Sequence, residues 1–272
     1  MNEILIEDTP GSASIEDAAQ ATEVAAPLLE CSYWCSDPVP VLDEPAGERL
    51  ALSVPEREAH VADAKPMRDA LIVAPAADEV RVAALLDAGA ARVHVGTLAV
   101  RDVAAVARLI ERHGADRLGL WLPVRRMPVQ WRFDRESNAD FSCLTPDCPV
   151  PRWEVLAGDS GTGVDVEVWL RNLPQGELLP VILAVPPAGD VCDEDICARI
   201  ARHPGGLWLT SLAGGPSTAL DGYVRYSGVR RVILDNAGED DDAAVTLAEL
   251  ARQNDLERTR RALFDGAELR HS

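Results

Sequence analysis

Two glycine turns are the residues in this chain best equipped for chemistry. Val95-Gly96-Thr97-Leu98 and Ala213-Gly214-Gly215-Pro216-Ser217 each follow a short apolar run, and the second opens a helical stretch. Glycine lets a ligand approach the backbone closely, and N–H groups at a helix start can hold a phosphate. Gly96, Thr97, Gly214, Gly215 and Ser217 are therefore candidate phosphate-binding residues, against the plainer reading that glycine after a strand only makes a turn. His94 alternates with Val93 and Val95, so it is either a packed, hydrogen-bonded histidine or a functional one. The six cysteines fall as Cys31/Cys35, Cys143/Cys148 and Cys192/Cys197. None of the pairs has zinc-knuckle spacing and no histidine lies beside them, so free thiols are expected, with no metal and no cofactor. The run Glu239-Asp240-Asp241-Asp242 reads as a solvated helix start, where acidic side chains are favourable.

The elements that must position these residues alternate short apolar runs with helical stretches, the pattern of parallel βαβ units. Strand candidates are Glu3–Glu7, Arg49–Val54, Ala70–Val73, Arg92–Val95, Arg117–Leu122, Pro180–Val185, Leu207–Leu212 and Arg231–Leu234. Helical stretches are expected over Ile15–Leu29, Asp78–Ala88, Asp102–Arg112, Asp165–Leu173, Asp193–His203, Ser217–Tyr226 and from Asp240 onward, and a proline-punctuated loop starts at Cys35. Between Arg125 and about Gly163 the chain is rich in Pro, Asp, Ser and Arg, with Trp131, Phe133, Phe141 and Trp153 among them. A stretch that long inside a compact domain is a functional lid or an insertion. Eight strand candidates point to a (β/α)₈ TIM barrel, a single α/β domain over residues 1–272 with a long insertion at about 125–163 after strand five. An open doubly wound sheet would want a G-x-G-x-x-G turn after strand one, where the chain reads DTPGSAS.

Charge narrows the function classes. The net charge is −19, and all but one of the 26 basic residues are arginine, Lys65 being the exception. Such a surface repels a nucleic-acid backbone, so no nucleic-acid partner is expected. No apolar run is long enough to span a bilayer and the first residues carry no basic flank, so the expectation is a cytoplasmic protein without a membrane partner.

Two segments carry a resemblance. LLDAGAARVHVGTLAVRDVAAVARLIERHGADRLGLWLPVR and LAGGPSTALDGYVRYSGVRRVILDNA are similar to the third-helix-to-fifth-strand and seventh-to-eighth-strand segments of the phosphoribosyl isomerase of histidine biosynthesis and its cyclase sister. The likeness covers about Asp78–Arg125 and Ala213–Ala237, is faint over Val164–Gly206 and is nearly absent from the first seventy residues. It implies a barrel in which the glycines after strands four and seven serve two phosphate sites. It also implies an aldose–ketose (Amadori) rearrangement of a phosphorylated aminosugar, run by two carboxylates in different environments. By that resemblance Asp8, at the end of strand one, is a catalytic carboxylate.

The chain departs from the family pattern at several of these positions. The fifth-strand carboxylate position holds Pro123, and the sixth falls near Val185, where Asp190 is the nearest carboxylate able to substitute. The third-strand turn reads Val73-Ala74-Pro75-Ala76-Ala77, whose proline has no N–H to offer. Asp235 replaces the glycine after strand eight and would repel a phosphate. Trp131 resembles the tryptophan of the family's fifth loop, and equally suits a packing anchor. Two functions follow as expectations. One is a divergent isomerase using Asp8 and Asp190 on a phosphorylated small molecule. The other is a non-catalytic relative that binds a protein partner through the 125–163 segment.

Overall fold

The computed structural model describes residues 29–35, 49–53, 71–128, 131–134, 143–146, 150–173, 175–187, 190–212, 217–235 and 241–268. In chain order the elements are β1 (Glu30–Cys35), β2 (Arg49–Ser53), β3 (Leu71–Ala74), α1 (Glu79–Asp87), β4 (Arg92–Val95), α2 (Thr97–Arg101), α3 (Val103–His113) and β5 (Leu118–Arg126). There follow β6 (Trp131–Asp134), β7 (Cys143–Pro146), β8 (Trp153–Ala157), β9 (Ser160–Asp165), α4 (Val166–Asn172), β10 (Val181–Val185), α5 (Val191–Ile200), β11 (Leu207–Ser211), α6 (Asp221–Ser227), β12 (Arg231–Leu234) and α7 (Asp241–Glu268).

Four helices begin at an aspartate whose side chain takes up a backbone N–H of the first turn: Asp78 from Arg81, Asp102 from Ala105, Asp165 from Glu167 and Asp190 from Cys192. Each satisfies a donor that the first turn leaves without an intrahelical acceptor. Gly89 and Gly114 adopt positive φ just past α1 and α3, where only glycine stops a helix without strain.

The strands form a mostly parallel central sheet, the arrangement of a TIM-like α/β fold. Parallel pairs join β3 to β4, β4 to β5, β5 to β10, β10 to β11, β11 to β12 and β12 to β1. Strand β2 lies antiparallel to both β1 and β3. The far end of β5 carries the antiparallel β8–β9 hairpin, while β6 and β7 make a separate two-stranded sheet.

The first part of the chain corrects the sequence reading. The expected strand Glu3–Glu7 and the helix expected over Ile15–Leu29, apart from Leu29 itself, lie outside the described residues. The structure puts β1 beside β12, in the place given to Glu3–Glu7, using residues 30–34 that the sequence reading left unassigned. Tyr33 and Trp34 are strong strand formers, and the strand stops before Pro38. Arg49–Ser53 is a strand as expected, but it runs antiparallel.

Two sets of buried side chains split the sheet. Val93, Val95, Leu118, Leu120, Leu183 and Leu209 pack with helix residues such as Leu85, Leu109 and Ile196. Trp34, Val73, Trp121, Ile182, Ala184, Trp208 and Ile233 form a second cluster made of strand residues alone. The alternation of strand side chains accounts for the split.

Candidate functional site

The C-terminal ends of the parallel strands are where an α/β fold of this kind places ligands. After β3 and β4 the two turns are bonded to each other. Thr97 donates its backbone N–H to the Pro75 carbonyl at 2.8 Å. A Cβ at Gly96 would come within 2.6 Å of that same oxygen, so glycine is needed here for close backbone packing. The Thr97 N–H that the sequence reading offers to a phosphate is thus engaged with protein. Ser217 opens a single 3₁₀ turn, Ser217–Leu220. Asp8, Gly214 and Gly215 lie outside the described residues.

The strand-only cluster runs along the same strands. Trp34 donates its indole N–H to Thr210 Oγ1 at 3.1 Å, joining β1 to β11. Its ring meets Trp121 edge-on, with centroids 5.8 Å apart. The Arg231 guanidinium lies over Trp208, 5.8 Å from the ring centroid. His94 pairs in register with Val73 on one side and Gly119 on the other, so its side chain shares the face of this cluster. It is fully buried, and among the described residues neither ring nitrogen has a hydrogen-bond partner of good geometry, the Ile72 backbone being the nearest candidate. Burial, with the nearby Arg92 charge adding to it, pushes the imidazole down to about 3. A Cβ on Gly119 would sit 2.3 Å from the His94 ring, so this glycine makes the room the histidine occupies. Pro123 lies in the second half of β5 and Val185 ends β10, and neither can move a proton.

Charge gathers instead at the tip of β5, outside the cluster. Arg125 donates from Nε to Glu154 Oε1 at 2.7 Å, and the Gly163 N–H reaches the other oxygen at 2.8 Å. Glu154 is 3% exposed. Burial pushes its carboxyl up, yet the Arg125 and Gly163 hydrogen bonds outweigh that and leave it below the usual range. A Cβ at Gly161 would strike both partners, so this glycine makes space for the ion pair. The next residue, Arg126, grips Asp190 with two nitrogens and also reaches Asp193. Trp153 completes Asp193 with an indole hydrogen bond of 2.9 Å and stacks edge-on against Tyr223.

Asp190, the candidate substitute carboxylate, is thereby both the cap of α5 and the partner of Arg126. The Arg126 hydrogen bonds hold its carboxyl well below the usual carboxylate range, so near neutral pH it can accept a proton but has none to give. Arg126, Glu154 and Asp193 were missed in the sequence. The adjacent Arg125-Arg126 pair ending a strand is the signal that was available, since neighbours on a strand face opposite sides. Asp235 is half-buried and follows β12.

Sequence comparison bears out the resemblance. A segment of 44 residues is 64% identical to the 1-(5-phosphoribosyl)-5-((5-phosphoribosylamino)methylideneamino) imidazole-4-carboxamide isomerase of Edwardsiella ictaluri, covering 16% of this chain and 18% of that protein. The enzyme of the same name from Xanthomonas campestris is 56% identical over 67 residues, 22% of this chain and 28% of its own length. That of Maricaulis maris is 36% identical over 80 residues, 29% of this chain and 30% of its own length. No family model matches the chain. The chain spans less than a third of the length of these curated relatives. Over these segments the chain is similar to this isomerase of histidine biosynthesis.

Proposed function

Starting from that kinship, we propose that the chain is a non-catalytic member of the isomerase lineage, a (β/α)₈-type barrel used as a binding scaffold. The barrel reading is supported by the β5–β10 pairing, which gives each of the eight strands β1–β5 and β10–β12 a neighbour on both sides. One observation carries the functional reading. On the strand-only face, where the Amadori chemistry would need two inward carboxylates, the described residues are Trp34, Trp121 and Trp208 packed with Thr210 and an uncharged His94. Proton transfer from a missing partner commonly costs about 10²–10⁴-fold in rate. Pro123, Val185 and the Pro75-bonded Thr97 point the same way. The contact surface is the 125–163 segment, whose β8–β9 hairpin is tied to the tip of β5 by the Arg125–Glu154 pair.

The second reading, an active isomerase on a phosphorylated aminosugar with Asp8 as acid or base and phosphate held at Gly214 and Gly215, is favoured by the identity of the matched segments. Complementation separates the two. A strain lacking the histidine isomerase and expressing this chain, with the protein verified by immunoblot, is expected not to grow without histidine. Growth near the rate given by a true isomerase would overturn the scaffold reading.

A further inference from the structure

On the outer side of the molecule, away from the C-terminal strand ends, α5, α6 and α7 enclose a cleft of about 390 Å³. That volume lies within the range of small-molecule sites. Its polar lining is Arg202, Ser227, Asn254, Glu257 and Arg258, with Tyr226 and two alanines supplying the apolar wall. Asn254 is only 8% exposed, and its side-chain nitrogen Nδ2 has no hydrogen-bond partner among the described residues. A buried amide donor left unmatched is costly, and an acceptor placed in the cleft would recover that cost.

The charges around that donor indicate what the acceptor is. Most arginines of the described residues are spent on acidic neighbours, as Arg108 on Glu79, Arg199 on Glu167 and Arg230 on Asp255. Arg202 and Arg258 make no ion pair among the described residues, and both line this one cleft. Gly228 leaves room for the second of them, since a Cβ there would lie 3.1 Å from Arg258 Nη1. Two guanidinium groups against one carboxylate, Glu257, leave about one net positive charge, which matches a singly charged oxyanion better than a dianion. The apolar wall of Ala198, Ala201 and Tyr226 suits a small hydrocarbon body behind that charge.

We propose that this cleft binds a small monocarboxylate, its oxygens taken by Arg202, Arg258 and the Asn254 amide. The site is separate from the strand ends discussed above and does not depend on whether the chain is an isomerase.

Ligand-observed NMR on the purified full-length chain tests this with sodium benzoate, sodium acetate and inorganic phosphate as probes. Benzoate is expected to bind more tightly than acetate, and both more tightly than phosphate. Arg258→Gln, at an exposed position that leaves the core untouched, should weaken benzoate about tenfold or more, the scale of one hydrogen bond to a charged group. Asn254→Leu should do the same if its thermal unfolding shows that it folds. Absence of benzoate binding, benzoate binding indifferent to Arg258→Gln, or phosphate binding more tightly than benzoate would each overturn the proposal.

Discussion

The strand-only face and the tip of β5 lie along the same strand and have opposite characters. Trp121, in the middle of β5, faces tryptophans and apolar side chains; Arg125 and Arg126, at its end, face the three carboxylates of Glu154, Asp190 and Asp193. The indole of Trp34 is bonded across the first region, whereas five charged side chains are bonded in the second. Burying a lone carboxylate costs far more than burying an indole, so charge is stable only where a partner of opposite sign comes with it. The tip of β5 supplies that partner and the face does not. The difference teaches that Glu154, Asp190 and Asp193 join elements together at this end of the sheet. The Arg126–Asp190–Asp193 contacts join β5 to α5, and Trp153 adds β8 to the same knot.

The largest effect should come from emptying the face. Trp121→Ala removes a ring that is 8% exposed and packed against Trp34. A buried tryptophan truncated to alanine typically costs about 3–5 kcal/mol. Urea unfolding of the variant is expected to show a loss of that size. A loss under about 1 kcal/mol would mean the cluster is loosely filled, and the face would again have room for a ligand.

Much of the fold was legible beforehand, and the reasons divide along the same line. Helices α1, α3 and α4 were found to within two residues because each begins at a capping aspartate and two end at a glycine, signals that are local. The parallel strands β3, β4, β10, β11 and β12 show as apolar runs because both their faces are buried. What was missed depends on partners distant in sequence. Strand β1 is made by β12, some two hundred residues away, and nothing in Cys31-Ser32-Tyr33-Trp34 announces that pairing. The extension of β5 to Arg126 and the β8–β9 hairpin exist through each other, so the composition of 125–163 suggested a loop where there is a sheet. Among the site candidates, Gly96 stood out as a glycine after a strand. Only the structure shows that the group approaching it is the Pro75 carbonyl.

The second effect tests the charged region. Glu154→Gln keeps the shape but removes the charge that Arg125 and the Gly163 N–H share. Hydrogen bonds to charged groups are worth about 1.5–3 kcal/mol, and Arg125, 49% exposed, is partly compensated by water. A loss of about 1–2 kcal/mol is expected in urea unfolding. Arg125→Met should also destabilise the chain, since it leaves Glu154 buried with one partner fewer. Were both changes neutral, the hairpin would be held by the β5–β8 ladder and Trp153 without help from the ion pair.

The smallest effect is a slope, and it separates the two regions by pH. His94 is held down to about 3 by burial, against 6.5 for an ordinary imidazole. As pH falls below about 6.5 the unfolded chain takes up a proton there that the native chain refuses until about 3. Stability is therefore lost progressively through that window, at up to about 1.4 kcal/mol per pH unit for one proton. His113, also lowered by burial, adds to the loss in the same direction. Glu194 and Asp221, whose carboxyls burial pushes up, act against it. The charged region responds in the same sense but later: Glu154 and Asp190 lie below the usual carboxylate range, so their contribution persists above the ordinary carboxylate pKa and fades only in stronger acid. Urea unfolding measured from pH 7 to pH 5 should fall with decreasing pH in the native sequence and fall less steeply in His94→Leu, while His113→Gln keeps the His94 share. An unchanged slope in His94→Leu would mean that the imidazole is reached by water or by a partner in the native chain, and the face would then be polar at its centre.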